Sequence, residues 1–486
     1  MLFWFVIIYW IISVAIGIYA AKFVHNSRDF AVAGRSLPMY IVTATVFATW
    51  FGSETVLGIP ASFLKDGLSG VVADPFGSSM CLILVGVFFA RPLYRMNLLT
   101  VGDYYRQRYS RTVEVLTTLA IVISYLGWVG AQIKALGLVF NVVSGGDISQ
   151  SAGMIIGAAT VLVYTMMGGM FSVAITDFIQ MIIIVLGMLY IGWEVSGMTG
   201  GVGTVVAHAA AAGKLNILPA AELKDILWFV AAGMTMMLGS IPQQDVFQRV
   251  SSSKNEKIAG NASVLGGVLY FGFAFIPMFL AYSATLIDPK MVAGLLEKDS
   301  QLILPTLILQ HAPIFAQVMF FGALLSAIKS CASATLLAPS VTFSENILKG
   351  FFPHIGDKQF LLLMRIVIVC FTIMVTTFAL NTEASIYKMV ENAYKVTLVA
   401  AFVPLACGLY WKPATNLGAM LAIFLGLATW INLEIVNPEG LVPPQLAGFA
   451  MSVFGMLAGS LLPNLIRDRR PARERSATSH HPHRPD

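Results

Sequence analysis

The chain has 486 residues, of which 57% are hydrophobic and only 11% are charged, and its formal net charge is +5. Soluble domains carry roughly 25% charged residues, so this chain lacks the polar side chains needed to cover a water-facing surface. The composition excludes an ordinary soluble protein and predicts a membrane protein. The sequence contains no phosphate-binding loop and nothing that indicates nucleic-acid binding.

Apolar stretches run through almost the whole chain. A bilayer crossing needs about 20 apolar residues, and by that measure we predict about thirteen spans in an all-α polytopic membrane protein. The predicted spans lie near 2–22, 39–63, 74–97, 113–143, 149–168, 172–194, 225–247, 258–287, 313–347, 360–380, 384–411, 414–436 and 443–466. The first stretch lacks a basic leader and a cleavage site, which favours a retained span over a signal peptide.

The distribution of lysine and arginine between the loops predicts the orientation. One set of loops is rich in basic residues and includes Arg28, Arg91, Arg249 and the tail 467–486. Basic loops stay on the cytoplasmic side, so we predict an external N-terminus and a cytoplasmic C-terminus in a plasma membrane, the inner membrane of a bacterium. The tail, RDRRPARERSATSHHPHRPD, is polar and rich in proline, and we expect it to be disordered.

The second predicted span is interrupted in its middle. The stretch TATVFATWFGSETVLGIPASF contains Gly52, Gly58 and Pro60, which weaken a helix. Unpaired backbone at membrane depth is tolerated only where protein or a cavity satisfies it, and broken helices form ion and solute sites in many transporters. The alternative is a proline kink that binds nothing.

Few ionisable residues fall inside the predicted spans, where such residues usually face a cavity or one another. Those well inside are Glu54, Lys134, Asp245, Lys329, Lys388, Glu391 and Lys395. In the stretch KMVENAYK the charges are three and four residues apart, so they share one helix face. Either they pair with one another along the helix in a purely structural role, or they form a face turned toward a solute. Lys134 lies in the outer half of its span and can extend to the interface.

Six stretches, spread in order from residue 29 to residue 419, resemble motifs of the sodium:solute symporter family. They are DFAVAGRSLP, LLTVGDYYRQRYS, YTMMGGMFSVAITDFIQ, IPQQDVFQRVSSSKNEK, AIKSCASATLLAPS and GLYWKPATNLGA. Together they are specific, although no single one would be. The resemblance implies a LeuT-like fold with alternating access around a site at the bilayer midplane.

The same resemblance implies a domain organisation built on two inverted five-helix repeats. One extra helix and a cytoplasmic loop precede the repeats, an extracytoplasmic loop separates them, and two extra helices and the tail follow. The implied ranges, in that chain order, are 1–38, 39–194, 195–224, 225–412, 413–466 and 467–486.

The resemblance also implies a sodium site between the broken second span and the ninth. Its carbonyl ligands would come from Ala48, Phe51 and Ala327, and its side-chain ligands from Ser330 and Cys331. Residues 327, 330 and 331 share one helix face. The family usually has a second hydroxyl in place of Cys331, and a thiol is a poor ligand for a hard cation.

Lys329 is a second departure, because the family usually has an apolar residue there. Three roles stay open: a tethered cation that replaces the ion, a titrating group that couples protons, or a structural lysine paired with an acid such as Glu54 or with backbone carbonyls. At 100° per residue, Lys329 points away from the centre of the face formed by residues 327, 330 and 331, which disfavours the first role.

Asp177 has two interpretations. By resemblance it neighbours the inward route of the ion and could receive the departing cation; alternatively, it is an acid at a helix N-terminus that the helix dipole favours.

For the solute, the resemblance implies a contact at Thr55. The residue pattern adds the polar or charged candidates Glu54, Gln244, Asp245, Lys388 and Glu391. Gln244 and Asp245 could instead cap the inner end of the seventh span. The lysines in the spans favour a solute that carries a carboxylate, such as an organic acid or an amino acid.

These observations predict a secondary active transporter that couples uptake of a small organic solute to a cation, with sodium ahead of protons. Two alternatives remain: proton-coupled or sodium-independent transport through Lys329, and a transporter-like sensor that works with a separate signalling partner. The sequence has no metal cluster and no nucleophile–base motif. We therefore expect that the protein is not an enzyme and that it binds no organic cofactor and no metal ion other than sodium. We expect the partners to be the solute and the lipid bilayer, and the protein to act as a monomer.

Overall fold

The structure of the chain, a computed structural model, describes residues 2–468 and gives only the backbone for the last six of these. Within this range the secondary structure is helical, apart from one isolated bridge between Leu37 and Ser253. The all-α prediction is therefore confirmed. The predicted disordered tail, 467–486, lies outside the described residues except for its first two.

The first half of the chain forms ten α-helices. In chain order, α1 to α10 are Leu2–Tyr19, Ser27–Val32, Met39–Trp50, Ile59–Asp66, Ser78–Leu84, Ala90–Arg95, Val101–Arg108, Arg111–Val143, Gln150–Met198 and Val202–Ala211. Helix α10 lies within 195–224, which the sequence analysis treats as a loop.

The second half of the described chain forms eleven more helices. In chain order, α11 to α21 are Leu223–Gly239, Gln244–Ser252, Glu256–Ile287, Pro289–Lys298, Ile303–His311, Ile314–Asn346, Asp357–Asn381, Ile386–Thr397, Val403–Tyr410, Asn416–Val436 and Pro444–Asp468. Predicted span 313–347 agrees closely with α16.

By length and apolarity, ten helices in the described range could each cross a membrane, or eleven if the bent pair α11–α12 is one span. Helix α9 has 49 residues and is broken at Gly169, whose φ of 49° and ψ of −138° are not helical. Two predicted spans, 149–168 and 172–194, lie on either side of this break. The total of thirteen spans, the repeat boundaries and the orientation stay predictions.

The predicted break in the second span is present. Helix α3 ends at Trp50 because Phe51, with φ of −85° and ψ of 72°, leaves the helical region. A π-helical turn over Glu54–Gly58 then leads into α4. The last carbonyls of a helix have no intrahelical donors, so the break presents backbone oxygens inside the protein.

A second break separates α11 from α12, where the chain bends by 42° after Gly239. Helix α12 is buried along its whole length. The interior is built around α16, most of which is buried, with α3, α8 and α9 packed against it. Helix α1 lies at the edge of this core, and α20 and α21 pack on each other. The break in α3 and the middle of α16 therefore meet at the centre of the molecule.

Candidate cation and solute site

The structure brings the broken segment of α3 against α16 at the predicted place. A Cβ atom added to Gly52 would lie 2.9 Å from the Sγ of Cys331. The other proposed ion ligands, Ala48, Phe51 and Ala327, are fully buried. Such a close approach needs glycine at position 52, because any side chain there would displace α16 or the thiol.

Asp177 joins these two helices directly. The Ser330 hydroxyl donates a hydrogen bond to Oδ1 of Asp177 at 2.6 Å, and the hydroxyl of Thr45 in α3 donates to Oδ2. Asp177 lies eight residues beyond the break at Gly169, whereas the helix dipole acts within the first turn. The dipole interpretation therefore does not explain this buried carboxyl group, whose contacts are with the candidate ion ligand Ser330 and with Thr45.

The pocket offers mainly hard oxygen ligands. The Asp177 carboxyl lies together with the hydroxyls of Thr45 and Ser330, and oxygen ligands suit sodium. The thiol of Cys331 faces the break in α3.

Arg249 is buried next to this pocket. Its Nη2 donates to Oγ1 of Thr49 at 2.7 Å and its Nη1 donates to the carbonyl of Asp245 at 3.0 Å. Arg249 lies in the buried helix α12, so its placement in a loop, predicted from the sequence, is wrong, whereas its side of the membrane stays a prediction. A buried guanidinium in this position balances the nearby carboxyl groups of Asp177 and Asp245.

Lys329 points away from the oxygen ligands. Its Nζ lies 4.3 Å from the ring centroid of Trp10 in α1 and 5.5 Å from that of Tyr164 in α9. The ammonium is fully buried and has no hydrogen-bond partner among the described residues. Glu54, the suggested acid partner, instead accepts from Trp128 and Gln132. The lysine pairs with aromatic faces and not with an acid.

Two buried carboxyl groups line a crevice beside the break. Glu54 accepts from Nε2 of Gln132 at 2.7 Å and from Nε1 of Trp128 at 3.1 Å. Asp74 accepts from the hydroxyl of Tyr270 at 2.5 Å. In the part of the chain that the structure describes, neither carboxyl forms an ion pair.

The crevice also contacts the second half of the chain. Its lining residues are Glu54, Ala73, Asp74, Met236, Tyr387, Val390 and Glu391. It is too narrow for a water molecule, so the helices around it must move apart to admit a solute. Thr55, the contact implied by resemblance, lies beside it and shares a hydrogen bond of 3.1 Å with Tyr270.

Three aromatic rings lie near one another beside Glu54. Trp50 lies 5.6 Å from Trp128 and 6.3 Å from Tyr394, and Trp128 lies 5.5 Å from Tyr394, all between ring centroids. The indole of Trp128 also donates to Glu54. This aromatic cluster, Trp50, Trp128 and Tyr394, combines π faces with a carboxyl group in a buried setting.

The remaining polar candidates divide between the interior and the periphery. Asp245 accepts a hydrogen bond of 2.5 Å from the hydroxyl of Tyr125, beside the aromatic cluster. Gln244 accepts from the backbone N–H of Val101, so it caps the start of α7 and not the end of its own span, which was the alternative interpretation.

The lysines that favoured an acidic solute have partners elsewhere. Lys388 is mostly exposed and pairs with Glu391 at 2.7 Å, and Lys395 pairs with Glu434 at 3.4 Å. Lys134 donates to the carbonyl of Ala384 at 2.7 Å. No lysine lines the crevice, so these three side chains no longer support a solute that carries a carboxylate.

Sequence reasoning missed the aromatic cluster, Asp74 and Gln132. One signal was available, because Trp128 and Gln132 are four residues apart and therefore lie on one face of α8. Asp74 lies at the edge of a predicted span, and an acidic residue in such a position usually indicates a loop. Its burial results from contacts with α13 that the local sequence does not reveal.

Comparisons with known proteins agree with this architecture. The model of the sodium:solute symporter family matches residues 30–426. The human high affinity choline transporter 1 is 27% identical over 450 residues, which cover 87% of this chain and 75% of that protein. The high-affinity proline transporter PutP of Bacillus subtilis is 26% identical over 471 residues, 92% of this chain and 95% of that one.

A solved structure shares the fold. The substrate-bound outward-open state of a Na⁺-coupled sialic acid symporter superimposes with a TM-score of 0.79 over 96% of this chain and 98% of that chain, at 19% identity. This likeness confirms the LeuT-like fold. Since the family model covers most of the chain, the protein belongs to the sodium:solute symporter family and is a cation-coupled membrane transporter of a small solute, not an enzyme.

Proposed function

We propose that the protein uses sodium to drive the uptake of a small organic cation with an ammonium head group. The observation that carries this proposal is the pair of buried carboxyl groups without ion-pair partners, Glu54 and Asp74, of which Glu54 contacts the aromatic cluster. The candidate ion ligands Asp177 and Ser330 lie near the same broken helix, since Asp177 also accepts from Thr45 in α3.

The carboxyl groups favour a cationic solute for an electrostatic reason. Burying a carboxylate without a counter-charge is costly, and the effective penalty is several kcal/mol per ion. Glu54 and Asp74 are 2% and 3% exposed and have only neutral hydrogen-bond partners. A solute with a positive charge would supply the missing counter-charge when it enters the crevice.

The aromatic cluster favours an ammonium group in particular. Cations bind to the faces of Trp and Tyr rings, with about 2 kcal/mol or more where the site is desolvated, and quaternary ammonium ligands are often bound in this way. Trp50, Trp128 and Tyr394 are each at most 3% exposed. The resemblance to choline transporters supports the same class of solute.

An amino acid is the second candidate. The similarity to a proline transporter over 92% of this chain favours a zwitterion, whose amino group could meet Glu54. Its carboxylate would then need a donor, which the side-chain amide of Gln132 could provide. This alternative retains the carboxylate-bearing solute expected from the sequence.

For the coupling ion, the hard oxygen ligands support sodium over protons. The Asp177 carboxyl and the Ser330 hydroxyl lie 2.6 Å apart, and Lys329 occupies a different face of α16, over Trp10. A tethered lysine cation that replaces sodium would have to turn away from Trp10, so the geometry favours the sodium-coupled mechanism.

A matched series of solutes tests the proposal. Choline, glycine betaine and 3,3-dimethyl-1-butanol have heads of similar shape and are cationic, zwitterionic and neutral, and proline represents the amino acids. In proteoliposomes with an imposed sodium gradient, we expect radiolabelled choline to accumulate. We expect the neutral isostere to compete at least about a hundredfold more weakly, because it cannot neutralise the carboxyl groups.

The same assay can contradict the proposal in two ways. Accumulation of proline without choline would establish the amino-acid alternative. Equal competition by the neutral isostere and choline would mean that shape, and not charge, selects the solute. The variant Glu54→Gln serves as an internal check, since it should weaken the binding of choline and leave the competition by the neutral isostere unchanged.

A further inference from the structure

Helix α1 touches the protein through one narrow face. The residues that are buried lie on a single stripe: Leu2, Val6, Trp10, Ser13 and Gly17. Between them, large side chains are exposed to the surrounding medium, as shown by Trp4 at 67% and Ile11 at 61%. Within a bilayer, lipid tails are as apolar as such side chains, so the hydrophobic effect does not hold α1 in place. Close packing and polar contacts must do so.

Three such contacts attach α1. The hydroxyl of Tyr9 donates to Oγ of Ser326, which itself donates to its own helix. The Ser172 hydroxyl donates to the carbonyl of Gly17 at 2.9 Å. The third contact is the ammonium of Lys329 over Trp10, at 4.3 Å. Two of the three reach α16, at positions one turn apart.

On the side of α16 that faces α1, Lys329 relies on the ring of Trp10 as its partner among the described residues. Its ammonium has three donors, and among the described residues none of them finds an acceptor. An unpaired charge at membrane depth is costly, and cation–π attraction is strongest where water is excluded. The rings of Trp10 and Tyr164 therefore enclose the charge. If α1 moved away, the ammonium would face lipid.

The attached turn of α16 is also the turn that presents the ion ligands. Ala327 and Ser330 lie on the turn that begins at Ser326, and the Lys329 carbonyl accepts from the Tyr164 hydroxyl at 3.1 Å. The contacts with α1 thus hold the same turn that carries the candidate ion ligands. A small displacement of this turn would lengthen the contact of 2.6 Å between Ser330 and Asp177.

We propose that Lys329 is a positioning residue whose cation–π contact with Trp10 fastens α16 to α1 and thereby sets the sodium affinity of the pocket. The proposal rests on the sodium site of the proposed function. It gives the charge a role that needs neither direct contact with the ion nor transfer of a proton.

The first test measures the sodium concentration that gives half-maximal uptake, with choline as the solute. We expect Lys329→Met and Trp10→Leu each to raise this concentration about five- to tenfold while the rate at saturating sodium is retained. The double variant should resemble the single variants. Lys329→Arg should stay within about twofold of the wild type, because Arg keeps the charge and stacks on Trp.

Trp4→Leu is the matched control. It is the same substitution in the same helix, but on the exposed face, and it should leave the sodium dependence unchanged. If Trp10→Leu fails to fold, Trp10→Phe provides a milder change at the same position, with an expected shift between those of wild type and Leu.

The second test does not depend on transport. Thermal unfolding of the purified protein without sodium, for the wild type, both single variants and the double variant, gives the coupling between the two residues. We expect the two losses in melting temperature to be clearly less than additive in the double variant. This result would stand even if uptake proved independent of sodium, in which case the proposed function fails and the attachment of α1 does not.

Two outcomes would overturn the inference. Additive losses in the unfolding cycle would show that Lys329 and Trp10 do not interact. A sodium requirement that is unchanged or lower in Lys329→Met would show that the lysine does not position the ligands, and a lower requirement would mean that its charge repels the ion.

Discussion

At the scale of single residues, Cys331 is the least suitable member of the ion pocket. Its Sγ faces the break at Gly52, where a hydroxyl oxygen would suit sodium better than sulfur. The neighbouring Ser330 already contacts Asp177. In the proposed sodium site, the Asp177 carboxyl would supply a hard oxygen near the soft thiol, and position 331 is where a hydroxyl would raise the sodium affinity.

We expect Cys331→Ser to lower the sodium concentration for half-maximal uptake by about fivefold. A hydroxyl of similar size replaces the thiol, and one added hydrogen-bond-like oxygen contact contributes roughly 1 kcal/mol. Sodium titration of solute uptake measures the change. Cys331→Ala is the control and should stay close to the wild type; an equal gain in the alanine variant would mean that the side chain at 331 does not contact the ion.

At the scale of elements, the site depends on how closely the break in α3 approaches α16. A Cβ at position 52 would come within 2.6 Å of Oε2 of Glu54 and 2.9 Å of Sγ of Cys331. One added methyl group would thus push on Glu54, which lines the crevice, and on α16 at the same time. The broken segment links the two sites because it borders both.

For this reason we expect Gly52→Ala to reduce uptake at least about tenfold while the protein still inserts and folds, since overpacking typically costs about 1–3 kcal/mol. Gly322→Ala is the matched control in α16, because no atom lies within 4 Å of the Cβ it would add. Uptake rate and size-exclusion profile are measured together. Normal uptake by Gly52→Ala would refute the close approach of the two helices.

At the scale of the whole molecule, the sequence predicts the framework well. Apolar length locates α16, and Gly52, Gly58 and Pro60 locate the break, because both features are local. Helical spacing also indicates that Lys329 points away from Ser330 and Cys331, and the structure agrees.

The sequence predicts less well which faces meet. Asp177 and Ser330 are 153 positions apart, and Asp74 and Tyr270 are 196 apart. Such contacts depend on the packing of whole helices, which periodicity does not specify. Arg249 shows the same limit, since a basic residue between two spans has the pattern of a cytoplasmic loop although α12 buries it.

The same limit explains the expectation of an acidic solute. Lysines inside predicted spans indicate a positive cavity only if they lack partners. Lys395 finds Glu434 on a helix that lies close in space but 39 positions away, and Lys134 finds backbone carbonyls. Once these contacts are known, the ionisable side chains at the crevice that lack an ion-pair partner among the described residues are two carboxyl groups, Glu54 and Asp74.

The proposed coupling of transport to sodium depends on one sodium site formed by α3, α16 and Asp177. Equilibrium binding of ²²Na⁺ to the purified protein, at fixed pH with potassium as the replacement cation, tests it without knowledge of the solute. We predict saturable binding to the wild type and binding at least about tenfold weaker in Ser330→Ala and Asp177→Asn. Ser344→Ala, whose hydroxyl only bonds its own helix, should bind normally. Absence of saturable binding to the wild type, or equal binding by all four proteins, would contradict the account.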